Sequence, residues 1–154
     1  MSSRKPVIGV VVYGKGKLPD RYSFPMLYVQ ALRRAGARVV MLPPEPDNAD
    51  DILGALDGLL LAGGGDIDPR RYGQQPHATV YGVDPDRDQL EADLIQKSIE
   101  YNFPTLAVCR GLQMLTVTLG GDLIQHLGDE PNRHPHRGDQ GEDVMHEVQI
   151  ETGS

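Results

Sequence analysis

Residues 105–115 read "TLAVCRGLQML". An apolar run ends at Cys109, and a helix-like pattern begins one residue later. "TLAV" reads as a strand, and "GLQMLTVTLG" as the helix behind it, ended by Gly120–Gly121. The same alternation recurs upstream. Val7 to Val12 is continuous, apolar and rich in β-branched residues, as expected of a strand buried on both faces. A helical pattern follows with Leu27, Tyr28, Ala31, Leu32 and Ala35 on one face, closed by Gly36 as its C′ residue. Arg38–Leu42 reads as a second strand, and the "PPEP" behind it forbids regular structure. Asp47 or Asn48 caps a short helix through Leu56, and "GLLLA" at 58–62 is a third strand. Beyond a long loop, Asp84 and Pro85 form an N-cap and first helical residue for a helix carrying Leu90, Leu94, Ile95 and Ile99. Fully apolar strands alternating with helices make a parallel sheet covered by helices on both faces.

A chain of 154 residues fits one domain with a working core. With 39% hydrophobic and 24% charged residues its composition is that of an ordinary globular protein. The formal charge of −7 argues against a nucleic acid partner, which needs a basic face. A single cysteine forms no internal disulfide, which fits a reducing compartment. The apolar run after the basic start is too short for a signal-peptide core, and no stretch approaches membrane-spanning length. The expected location is therefore the cytoplasm, with no membrane partner.

Sites in open parallel sheets form outside the carboxyl ends of the strands. Two segments there carry chemistry. A strand turning abruptly into a helix lifts Cys109 clear of the backbone, and Ala107 and Gly111 supply the small neighbours such an elbow needs. A helix N-terminus favours thiolate over thiol through its dipole and free N–H groups. The competing reading makes Cys109 a small hydrophobic residue filling a core. In the second segment, "LLLAGGGDIDPRRYG", three glycines follow a buried strand. They do not fit a dinucleotide-binding loop, because Asp-Ile-Asp-Pro stands where a helix should begin. They serve either as a tight turn or as an oxyanion hole, whose N–H groups approach a carbonyl closely only where no Cβ intervenes. The N–H of Arg110 is the second donor in that reading.

Together "DGLLLAGGGDIDPRRYG", "YGVDPDRDQLEADLI" and "FPTLAVCRGLQMLTVTLGGDLIQHL" resemble the gamma-glutamyl-gamma-aminobutyrate hydrolase family, of the class I glutamine amidotransferase-like superfamily (peptidase family C26). The resemblance runs from "PVIGVVVYG" to the last residues, where "HEVQIETGS" is similar to a family strand opened by His146. It implies a flavodoxin-like three-layer α/β/α fold with a central, mostly parallel sheet, represented over 1–154 without its C-terminal strands. It implies a thiol hydrolase of γ-glutamyl amides working through a thioester, without ATP, metal, nicotinamide or any other cofactor. Cys109 is then the nucleophile, with Gly64, Gly65 and Arg110 around the oxyanion and Gln113 beside the substrate. Asp66, Tyr72, His136 and Arg137 fall at the pocket rim. The partner is a small γ-glutamyl amine. Ala107 departs mildly from the family's frequent glycine.

A larger departure concerns the base. The resemblance implies a His-x-Glu pair well downstream, and none of the five histidines matches it. His77 and His126 read as loop and helix-end residues. His134 and His136 lie in the polar loop "NRHPHRGDQGED", where a His-x-His metal site lacks further ligands at suitable spacing. Three readings compete. The chain is the N-terminal part of a hydrolase, completed by a complementary C-terminal polypeptide or prone to self-association. Alternatively it is a non-catalytic remnant or partner-binding module. Thirdly, it is a redox protein using the elbow cysteine alone, which leaves the glycine loop without a purpose.

Overall fold

The computed structural model describes residues 4–14, 20–45, 47–129, 145, 147 and 149–153. Four strands, β1 (Val7–Val11), β2 (Arg38–Leu42), β3 (Gly58–Leu61) and β4 (Thr105–Ala107), form one sheet in the order β2-β1-β3-β4. All three pairings are parallel. The helices are α1 (Met26–Arg34), α2 (Ala49–Gly54), α3 (Pro85–Glu100) and α4 (Arg110–Thr118), with 3-10 turns at Pro69–Tyr72 and Leu127–Asp129. This is the doubly wound α/β architecture expected. The step from β1 to β2 runs one way along the sheet and the later steps run the other. Right-handed crossovers therefore put α1 on one face, and α2 and α3 on the opposite face.

The main core lies on the α2–α3–α4 face. In-register neighbours of a parallel sheet share a face, so Val11, Leu59, Leu61 and Ala107 meet Leu53, Leu90, Leu94, Ile95, Met114 and Val117 there. The caps explain where α2 and α3 start. Asn48 accepts from the Asp50 N–H at 3.0 Å, and Asp84 accepts from the Arg87 N–H at 3.2 Å with Pro85 behind it. Gly36 follows α1 with φ +89°, the left-handed conformation of a C′ residue.

Three expectations need correction. Hydrophobic spacing puts Leu27, Ala31 and Ala35 on the inward face of α1, but Leu27 is 71% exposed and both alanines are exposed. Alone on its side among the described residues, α1 turns Tyr28, Val29 and Leu32 partly inward instead. On α3, Leu90, Leu94 and Ile95 are buried but Ile99 is exposed, while Arg87, Asp88 and Glu91 are buried. Those three charges sit where the helix start faces the end of the sheet, and partners are available there. Lastly, the described residues of 145–153 form no strand, and Met145 and Ile150 lie exposed rather than packed into the sheet. His134, His136, Arg137 and His146 lie outside the described residues. Among the described residues no helix is long and apolar enough to cross a membrane.

Candidate active site

The chain leaves β4 at Ala107, and two residues later Cys109 takes φ 55° and ψ −116° before α4 begins. A non-glycine residue in that conformation costs on the order of 1–3 kcal/mol and persists only when its surroundings enforce it. The enforcing contact is visible at Gly111. A Cβ there would collide with the carbonyl of Leu61, so α4 starts hard against the end of β3. The Val108 N–H donates to the same Leu61 carbonyl at 2.9 Å. The elbow leaves Cys109 exposed, as a free thiol.

The glycine loop leaves β3 beside it. A Cβ on Gly63 would lie 3.7 Å from both Cβ and Sγ of Cys109 and 3.2 Å from the Tyr28 hydroxyl. The Gly63 N–H donates to that hydroxyl at 3.2 Å. Tyr28 is held by a row of rings, with Phe24 5.5 Å away and Tyr13 beyond it at 5.9 Å. Gly64 has φ +152°, and a Cβ there would strike the Arg87 guanidinium. A Cβ on Gly65 would strike the backbone of Gly82. At Gly64 and Gly65 only glycine fits. Among the described residues, the N–H groups of Gly64, Gly65 and Arg110 donate no hydrogen bond.

Beneath the loop lies a closed set of charges. Arg87 Nε donates to Glu91 at 2.8 Å, and its Nη2 donates to the carbonyls of Ala62 at 3.2 Å and Gly63 at 3.0 Å. Arg110 donates to the other oxygen of Glu91 and to Asp88. Asp88 also accepts from the Asp68 N–H at 2.9 Å. All four side chains are buried. Two cations balance two anions, so removing one strands a buried charge, at about 3–5 kcal/mol. Burial pushes the Arg87 guanidinium below its usual value, against the pull of Glu91. Burial raises the Tyr13 phenol, with Arg87 stacked 4.8 Å from its ring and acting in opposition.

Residues 6–154 match the peptidase C26 family profile. The chain belongs to the peptidase C26 family. It is 37% identical over 130 residues to the protein NtpR of Enterococcus hirae, covering 82% of this chain and 54% of NtpR. It is 35% identical over 159 residues to the gamma-glutamyl-gamma-aminobutyrate hydrolase PuuD of Escherichia coli K12, covering 96% of this chain and 62% of PuuD. The hydrolase of the same name from Escherichia coli O157:H7 is 36% identical over the same span. The chain thus spans between about half and two thirds of the length of these relatives.

In this C26 chain, Cys109, Gly63, Gly64 and Arg110 are brought together. Gln113, Asp66 and Tyr72 line a separate small cavity of about 70 Å³ that does not include Cys109. Asp66 is tied to its neighbouring loop, exchanging hydrogen bonds with the Tyr81 backbone at 2.9 and 2.8 Å. His77 and His126 stack on each other at 5.3 Å and line another cavity away from the thiol. Sequence reasoning missed Tyr28, which looked like one more apolar-face residue of α1. It also missed Arg87, Asp88 and Glu91. Their signal is faint, because an i, i+4 Arg–Glu pair ordinarily marks a solvated helix face.

Proposed function

We propose that this chain carries the nucleophile half of a γ-glutamyl amide hydrolase. The observation that carries the reading is Cys109 itself, exposed at a strained strand-to-helix corner beside a glycine loop whose Gly64 and Gly65 N–H groups donate no hydrogen bond among the described residues. In the proposed reaction the thiolate attacks the γ-carbonyl carbon, forming a C–S bond and a tetrahedral oxyanion. The N–H groups of Gly64 and Arg110 receive that oxygen. Collapse breaks the C–N bond, and the amine leaves with a proton. Water then attacks the thioester, releasing glutamate and restoring the thiol. No cofactor takes part. The described residues offer no base beside Cys109, so the proton donor comes from outside them. Positioned proton donors contribute about 10²–10⁴-fold.

The relatives' names support the γ-glutamyl substrate class. The test is intact-mass analysis after incubation with a γ-glutamyl anilide. A glutamyl adduct is expected on the wild-type chain and not on Cys109→Ala, and iodoacetamide should label Cys109 in the folded protein. Labelling only after denaturation would return Cys109 to a packing role. Loss of the adduct on treatment with a chelator would point to metal chemistry instead.

A further inference from the structure

We infer that Arg87 is a positioning residue for the oxyanion loop, and that Glu91 couples this loop to the elbow carrying the nucleophile; the inference rests on the hydrolase reading above. In a trans peptide the C=O and the following N–H point in opposite directions. The carbonyls of Ala62 and Gly63 both accept from Arg87 Nη2. The N–H groups of Gly63 and Gly64 must therefore both face away from Arg87. The first reaches the Tyr28 hydroxyl, which flanks Gly63 together with Cys109 Sγ. The second is the free donor. Successive N–H groups turned to one side form a concavity suited to an anion.

The remaining charges fix this loop relative to the thiol. One oxygen of Glu91 holds Arg87, and the other holds Arg110, the residue directly behind Cys109. Asp88 holds Arg110 as well and accepts from the Asp68 N–H at the far end of the loop. The loop is thus pinned at both ends by α3, and the elbow is pinned to the same two carboxylates. Arg87 touches no reacting atom in this arrangement. It acts through the backbone it orients, and lysine cannot replace it, because one ammonium lacks the planar fork that reaches a carboxylate and two carbonyls together.

Two alkylating agents separate the roles. Iodoacetamide needs only the thiolate. A chloromethyl ketone bearing the γ-glutamyl group needs the oxyanion donors as well, since its ketone oxygen occupies their site while the thiolate displaces chloride. Arg87→Met in the 154-residue chain should slow the chloromethyl ketone by about a hundredfold, the effect of losing one oxyanion donor. Iodoacetamide labelling should keep its wild-type rate. Arg87→Lys should recover only part of the loss. Equal changes for both reagents would overturn the inference, as would wild-type reactivity of Arg87→Met toward the ketone. If Arg87→Met is unfolded by circular dichroism, Arg87→Lys carries the comparison; unfolding of both makes Arg87 structural and overturns the inference. A wild-type chain that takes iodoacetamide but ignores the ketone would overturn the hydrolase reading, and this inference with it.

Discussion

Cys109 takes a backbone conformation that costs free energy, and the surrounding contacts show why it is kept. Relaxing φ to a negative value would swing α4 away from β3, breaking the approach that Gly111 makes to Leu61. The strain is local and so can be measured. At an ordinary site glycine is less stable than alanine by about 0.5–1 kcal/mol. At Cys109 the Cβ strain, about 1–3 kcal/mol, opposes that preference. Cys109→Gly should therefore be more stable than Cys109→Ala, by about 1 kcal/mol in denaturant unfolding. Alanine being the more stable would mean the elbow is not strained. Much of this corner was legible in the sequence, because an abrupt turn from strand to helix requires small residues around the one it lifts, and Ala107 and Gly111 stand at those two positions. Tyr28 and Arg87 were not legible. Their roles come from a hydroxyl and a guanidinium reaching across the fold to glycine backbone, and no local pattern records such a distance.

At the scale of elements, the start of β1 is fastened by a side chain rather than by the ladder alone. Asp57, just before β3, accepts from the Val7 N–H at 2.7 Å and from Arg4 at 2.6 Å, while its own N–H donates to the Val7 carbonyl at 2.8 Å. The backbone hydrogen bond from Val7, ahead of the Arg4 charge, holds the Asp57 carboxyl below its ordinary value. A carboxyl depressed in the folded state adds stability that is fully present above its unfolded value, about 3.9. That contribution is lost as pH falls below this value and through the lower folded one. Asp57→Asn should then be less stable than wild type near neutral pH, and the gap should close as pH drops from about 4 to 2. Urea unfolding across that range checks it; a gap constant with pH would dissociate the effect from titration. Elements of this kind were well anticipated where caps and apolar runs coincide, as at Asn48 and Asp84. The helix faces were less legible. Exposure of Leu27 and Ile99 follows from which neighbour each helix has, and hydrophobic spacing alone does not contain that.

For the whole molecule, the open side of the sheet raises the largest question. Among the described residues β4 is an edge strand, and Leu106 at its centre is 61% exposed although its register partner Leu60 is buried. Leu112 on α4 and Leu119 at its C-cap lie exposed, and a groove of about 310 Å³ runs beside β4 between α3 and α4, lined by Ile95, Phe103, Ala107 and Leu115. Ser98 also lines it, and its buried hydroxyl has no partner among the described residues. An unpaired, apolar edge is a template for another strand. Because the chain covers only part of its relatives' length, the occupant we propose is a strand from the part of the family fold that lies beyond these residues. The 154-residue chain by itself should use the same edge against a second copy. Sedimentation velocity should show concentration-dependent association, which Leu106→Lys suppresses without loss of helical signal, since a lysine at an exposed edge position blocks pairing and disturbs no core contact. A fragment supplying the rest of a relative's fold should compete with self-association and raise hydrolysis, because the same docking event would cover the edge and bring the proton donor that the described residues lack. Association unaffected by Leu106→Lys would place the contact elsewhere, and competition without any gain in turnover would separate the edge from the chemistry.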